Sequence, residues 1–210
     1  MNKLTAVDVL NIVAKFSQVI LANGDYLNEL DGKLGDADFG TSISAGFCAV
    51  EKIIPELGSA SAGMVLGKTG TTLVKSMGGA SGPLFGTIFM KAGKALGDTP
   101  EVGIQELASM FSASLAGVKT LGKSDVGDKT LIDALAPATM ALAAAAANGS
   151  SLKAALSEAH AAAVQGVENT KNMVANRGRA HYLGERGLSH QDPGATAIQM
   201  LFKVLADYVN

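Results

Sequence analysis

The sequence predicts an all-α protein, and three observations carry that expectation. Apolar residues recur at the three-and-four spacing of a helix face along most of the chain. No stretch alternates apolar and polar residues convincingly enough to read as a strand. Start signals and glycine-marked stops divide the chain into about eight segments of helical length.

The first segment opens at Thr5, which with Asp8 makes a capping box, and runs to Ala22, where Asn23-Gly24 stops it. A loop from Gly24 to Gly40 is expected next. The second helix begins near Thr41-Ser42 and ends before Pro55, the third runs from Ala62 to Met77, and the fourth from Pro83 to Gly97. Further helices span Ile104 to Leu121, Lys129 to Ala147 and, from a Ser151 cap, to Val174. The last is the clearest: Asp192 is a good N-cap, Pro193 suits the first helical position, and Ile198, Leu201, Phe202 and Leu205 share one face.

The 210 residues suit a single domain, 1–210, without repeats or a linker. Alanine on the helices allows close packing, and with 5% aromatics the core should rest on many small contacts. A net charge of -2 without clustered Lys or Arg argues against nucleic acid or an anionic membrane surface as partner. The single cysteine, Cys48, lies in an apolar stretch and reads as a packed core thiol in a reducing cytoplasm. The most apolar tract, Ala134 to Ala147, contains Pro137 and falls short of the roughly 20 residues needed to span a bilayer.

The chemistry concentrates in the loops. Asp31, Asp36 and Asp38 are spaced Asp-x4-Asp-x-Asp in a segment that Gly32, Gly35 and Gly40 keep irregular. Three converging carboxylates repel one another unless a cation is present, and hard oxygen ligands select Mg²⁺ or Ca²⁺ over zinc. An EF-hand counted from Asp36 places Phe47 where a bidentate Glu is required, so that reading fails. A solvated acidic loop is the other reading of so short a motif. Gly40-Thr41-Ser42 then leads into a helix N-terminus, where free N–H groups and the helix dipole favour an anion such as a diphosphate.

The segment from Gly78 to Pro83 again precedes a helix and lets backbone approach a ligand, although it lacks the lysine of a P-loop; a tight helix-to-helix turn would look the same. Asp128, in Gly127-Asp128-Lys129-Thr130, reads as a plain N-cap rather than a ligand. The connection from Arg177 to Asp192 gathers three arginines with His181 and His190, and either Arg179 or Arg186 has the planar fork suited to phosphate. His160 reads as a surface or half-buried residue.

Taken together, Gly35-Asp36-Ala37-Asp38, Gly78-Gly79-Ala80-Ser81-Gly82-Pro83-Leu84-Phe85-Gly86, Gly127-Asp128-Lys129-Thr130, Tyr182-Leu183-Gly184-Glu185-Arg186 and His190-Gln191-Asp192-Pro193-Gly194-Ala195 resemble the nucleotide-binding L subunit of dihydroxyacetone kinases, over essentially the whole chain. The resemblance implies an eight-helix antiparallel barrel that binds ADP or ATP at one end. By the same resemblance, two Mg²⁺ ions are held by Asp31, Asp36 and Asp38, which serve as the catalytic residues. The nucleotide contacts it implies are Phe39, Gly40, Thr41, Ser42, Ala80, Ser81, Gly122, Leu131, Arg179, Asp192, Pro193 and Gly194, with the loop after Arg177 closing as a lid.

The implied partners are a K subunit that binds dihydroxyacetone and, in the multi-subunit bacterial type, a phosphohistidine protein of the sugar phosphotransferase system that recharges a resident nucleotide. ATP-dependent family members, among them kinases of a related triose or tetrose, instead exchange the nucleotide as a substrate; the resemblance favours the phosphotransferase-dependent type and leaves the ATP-dependent one as the alternative. A homodimer or a place in a hetero-oligomer is expected. Phe39 departs from the His or Cys common at its position, and a phenyl ring donates no hydrogen bond to phosphate. The N–H groups of Gly40 and Thr41 are expected to serve instead. Two further readings stand beside this one: a nucleotide-binding regulator without transfer activity, and a helical interaction module with a calcium-stabilised loop.

Overall fold

The structure, a computed structural model, describes residues 2–210; Met1 lies outside the described residues. Among these residues there are nine α-helices and no strand: α1 (Ala6–Ala22), α2 (Gly24–Gly32), α3 (Phe39–Ile53), α4 (Ala62–Ser76), α5 (Ser81–Leu96), α6 (Ile104–Gly122), α7 (Ile132–Ala147), α8 (Leu152–Thr170) and α9 (Pro193–Val209). The all-α expectation holds, and each of the eight expected helices forms.

The ninth, α2, is a correction, since Gly24 to Gly32 was expected to be loop. Only two apolar positions, Leu27 and Leu30, face the core from it, too few to register as a periodic pattern. Gly24 and Gly40, the ends of the expected loop, are packing residues rather than turn residues. A Cβ on Gly40 would overlap the carbonyl oxygen of Gly24, and one on Gly24 would sit 2.7 Å from Ser44 Oγ, so their absence lets α2 lie against α3.

The other boundaries move by a few residues for local reasons. The Thr5–Asp8 capping box of α1 is present in both directions. Helix α3 begins at Phe39 rather than Thr41 because Asp31 caps it from α2, accepting from the N–H groups of Asp38 at 3.0 Å and Phe39 at 3.2 Å. Helix α5 starts at Ser81, two residues before Pro83, and α8 ends at Thr170 rather than Val174. Helix α7 starts at Ile132, not Lys129, because Lys129 takes φ 58°. There Asp133, not Asp128, does the capping, accepting from Gly127 N–H at 2.6 Å and Thr130 N–H at 2.7 Å.

Successive helices from α3 to α9 pack side by side, and α1 closes the ring by packing on both α3 and α9. Short connections make the neighbours antiparallel, so alternate connections fall at the same end. At one end Leu4 pairs with Val102 and Ser61 bonds Asp98. The opposite end, here called the mouth, collects the four connections 33–38, 77–80, 123–131 and 171–192.

The buried apolar side chains form one cluster. All 7 phenylalanines are in it, which corrects the expectation of a core built without large contacts. Phe16 meets Phe47 edge-on with ring centres 4.9 Å apart, and Phe111 lies 4.7 Å from Phe202. Cys48 is a second correction. It is exposed, because Ile43, Phe47 and Val50 already take the inner face of α3 and the position after Phe47 turns outward. No single helix among the described residues is long and apolar enough to cross a membrane.

Candidate functional site

The acidic cluster is assembled by α2, the turn after it and the start of α3. Asp31 sits in the last turn of α2, and its Oδ2 is fixed by the two N–H groups at the start of α3. Gly35 leaves room for it, since a Cβ there would come within 2.9 Å of Asp31 Oδ1. The chain then reverses at Ala37, which holds φ 60°, a conformation that costs a residue with a Cβ and is commonest where function demands it. The result is that one carboxylate oxygen from each of Asp31, Asp36 and Asp38 lies within 4.8 Å of the others.

Three negative charges at that separation are unfavourable by themselves. Burial, and then the charges of Asp36 and Asp31, push the Asp38 carboxyl above its ordinary value, with Arg179 pulling the other way. Arg179 is the one cation paired to the cluster among the described residues, at 2.9 Å from Asp36. One guanidinium against three carboxylates leaves an excess that a divalent cation would offset, and the donors are all hard oxygens without a nearby His or Cys, so the residues present fit Mg²⁺.

The other connections gather at the same end of the bundle. Ser42, in the first turn of α3, both donates to the Gly78 carbonyl at 3.2 Å and accepts from its N–H at 2.9 Å, tying the glycine loop to α3. Ala80 and Ser81 then form the start of α5, where no side chain caps the free N–H groups. Gly122 ends α6 against Leu84, and Leu131 lies beside Gly194, whose added Cβ would meet it at 3.3 Å. Asp192 caps α9 by accepting from Ala195 N–H at 2.7 Å, with Pro193 buried behind it. Burial pushes the half-buried Asp192 carboxyl up to about 7; the Ala195 N–H opposes this, the charges of Asp133 and Asp31 add to it, and Lys129 offsets part.

Two expectations change here. The helix start after the cluster is largely occupied by protein acceptors: Thr41 N–H donates to Asn28 Oδ1 at 2.9 Å, and Asn28 Nδ2 returns a bond to Thr41 Oγ1. Thr41 N–H is therefore not free for phosphate, and the uncapped start of α5 is the better anion-facing terminus. Phe39 points its ring into the core, 6.0 Å from Phe85, and gives its N–H to Asp31, so its departure from His or Cys places a hydrophobic side chain where the core accepts one.

The long connection folds as a 3₁₀ segment, Arg179–Gly187, broken at Gly184. It separates the two arginine candidates: Arg179 reaches Asp36, whereas Arg186 bonds the Leu183 carbonyl of its own segment. Asp128 accepts from Asp125 N–H and Asn176 Nδ2, joining two connections instead of capping a helix. His160, half-buried as expected, pairs with Gln199. Residues that pattern alone did not single out are Asn28, Asp133 and Lys129; the last two are buried, at 2% and 1% exposure.

Comparison with known proteins gives a consistent result. The DAK2 domain family pattern matches residues 33–207. The ADP-binding subunit of the PEP-dependent dihydroxyacetone kinase of Escherichia coli K12 is 37% identical over 203 residues, covering 97% of each chain. The corresponding subunit of the PTS-dependent enzyme of Lactococcus lactis is 30% identical over 98% of this chain and 99% of its own. The dihydroxyacetone kinase of C. freundii, solved in complex with AMP-PNP and Mg²⁺, superposes with a TM-score of 0.73 at 30% identity, covering 99% of this chain. The chain spans 34% of that longer kinase.

Proposed function

The chain belongs to the DAK2-domain family, and from that premise we propose that it is the ADP- or ATP-binding subunit of a dihydroxyacetone kinase, working as a single domain. It passes a phosphoryl group from a Mg²⁺-bound nucleotide to dihydroxyacetone held by a separate K subunit. The nucleotide is a resident cofactor recharged by a phosphohistidine protein of the phosphotransferase system, and the site of action is the cytoplasm. The observation that carries this reading is the convergence of Asp31, Asp36 and Asp38 with Arg179 at the mouth, where all four loop connections meet.

Asp31, Asp36 and Asp38 would hold two Mg²⁺ ions. Bound there, magnesium supplies positive charge that offsets the charge developing on a departing phosphoryl group. Asp31 is held in place by two N–H groups, so its carboxylate needs little reorganisation on binding. Arg179 adds a positive charge at the edge of the cluster, being largely exposed and paired with Asp36. The start of α5 at Ala80-Ser81 offers main-chain N–H groups to phosphate, while Gly122, Leu131 and the Asp192-Pro193-Gly194 turn form the remaining wall. None of these residues is placed as a nucleophile and base pair, which suits a transfer governed by positioning and electrostatics. Activation of the acceptor hydroxyl falls to the K subunit.

The reading over an ATP-dependent triose or tetrose kinase is favoured by similarity. The E. coli subunit is 37% identical over 97% of this chain, against 30% over 91% for the L-erythrulose kinase of Pectobacterium atrosepticum. Asp36→Asn should lower Mg-ADP affinity about a hundredfold in calorimetric titration while leaving the helical spectrum intact. Unchanged binding would refute the cation site. Mixing the protein with a K subunit, dihydroxyacetone and either ATP or a phosphorylated carrier protein then separates the donors. Formation of no dihydroxyacetone phosphate under either condition would turn the protein into a regulator.

A further inference from the structure

We propose that Lys129 is a positioning residue, which fixes the 173–192 segment over the acidic cluster by binding three main-chain carbonyls of that segment with its one ammonium group. The inference rests on the reading of the mouth as a nucleotide site. It concerns a residue to which neither the family resemblance nor the motif analysis gave a role.

Lys129 is 1% exposed, rare for a lysine, and among the described residues no carboxylate lies in salt-bridge range of it. Its left-handed backbone, φ 58°, ends the approach to α7. An ammonium has three donors and no acceptor, so burying it is tolerable only when all three are used. Here they are: Nζ donates to the Gly187 carbonyl at 2.6 Å, to His190 at 2.7 Å and to Met173 at 3.3 Å. The two short bonds are of the charge-assisted kind.

The acceptors define what the group does. Met173 stands at the root where the segment leaves α8, and Gly187 and His190 stand at the root where it returns to α9. One side chain therefore pins both roots to the start of α7, next to Leu131. Between the roots, Arg177, Gly178, Arg179, His181 and Tyr182 are all exposed, and the reach to the cluster is the single Arg179–Asp36 pair. Asp128 assists from the adjoining position by accepting from Asn176 Nδ2 and, through its carbonyl, from Asn176 N–H. An exposed ion pair of this kind is weak by itself, so the placement of Arg179 depends on how firmly the roots are held.

The test uses Lys129→Met, which keeps length and bulk but has no donors. Trypsin cleavage at Arg177, Arg179 and Arg186 should accelerate about tenfold relative to the wild type while the core stays protected, and Mg-ADP affinity should fall about tenfold, as for loss of an outer partner of a binding group. A double-mutant cycle with Arg179→Ala separates positioning from general weakening: the affinity loss caused by Lys129→Met should largely vanish when Arg179 is already absent. A lower melting temperature with unchanged cleavage and affinity would overturn the proposal, as would independent, multiplying effects of the two substitutions. Should Lys129→Met not fold, Lys129→Gln carries the same measurements, and failure of both to fold would assign the amine to the fold itself and overturn the proposal. If the wild type binds no Mg-ADP, the nucleotide reading fails, and the trypsin comparison still decides whether Lys129 holds the segment.

Discussion

The seam between α4 and α5 and the ring of connections at the mouth are both rich in glycine, for opposite reasons. In the seam, Gly63 and Gly70 face Gly86 and Gly93, each pair two helical turns apart on one face. A Cβ on Gly70 would come within 2.5 Å of the Gly86 carbonyl oxygen, and one on Gly93 within 2.5 Å of the Gly63 carbonyl oxygen. At the mouth, Gly178 has φ +65° and open space around it. The seam needs the absence of a side chain so that two backbones can touch, whereas the mouth needs the freedom to turn. Close approach and sharp turning are thus written with the same residue, and only the neighbours tell them apart.

Substitution by alanine is the sharpest way to break this comparison. Gly70→Ala must push apart two backbones that have no flexible end to yield, and should cost on the order of 3 kcal/mol. In a thermal melt that is a fall of about 10 °C for a domain of this size. A loss below about 1 kcal/mol would mean that the seam has slack and that the two regions do not differ as described.

The next effect belongs to the mouth and reads its electrostatics. Because burial holds the Asp192 carboxyl at about 7, above its unfolded value of 3.8, the folded protein keeps a proton between those limits that the unfolded chain has released. The stability contributed by this group is therefore complete below pH 4 and is lost as pH rises through 7. Full linkage would be about 4 kcal/mol, and with the carboxyl partly open to solvent, melts of the nucleotide-free protein should show a decline on the order of 2 kcal/mol across that window. Asp192→Asn keeps an oxygen for the Ala195 N–H and should flatten the decline; a slope that persists in the variant would assign it to other groups.

Gly178→Ala closes the series. With nothing within 4 Å of the added methyl group, the penalty is conformational alone, about 1 kcal/mol for a left-handed residue that gains a Cβ. Equal losses from Gly70→Ala and Gly178→Ala would remove the distinction drawn between the two regions.

Much of the site was legible in the residues themselves. Asp31, Asp36 and Asp38 stood out because like charges at short spacing need a physical reason, and the structure does bring them together. Arg179 and Arg186 looked equivalent as sequence, since a guanidinium is recognisable but its direction is not; the 3₁₀ fold of the segment sends one to Asp36 and the other back to its own backbone. Lys129 gave no signal because its partners are main-chain carbonyls, which any residue carries. Asp133 hid in the same way, its partners being the N–H groups of Gly127 and Thr130.

Local chemistry determined the helices: periodic apolar positions, the Thr5, Ser151 and Asp192 caps and the glycine stops act within a turn or two of chain, so they can be read in order. Tertiary structure alone decided what acts across the chain. Helix α2 forms on the strength of two buried leucines and contact with α3, the mid-helix glycines become a seam only when α4 meets α5, and Cys48 faces outward because Phe47 faces in. The mouth itself is of this kind, since antiparallel packing of successive helices is what delivers four distant loops to one end, where an arginine meets the three carboxylates and a buried lysine holds the roots of the segment that carries it.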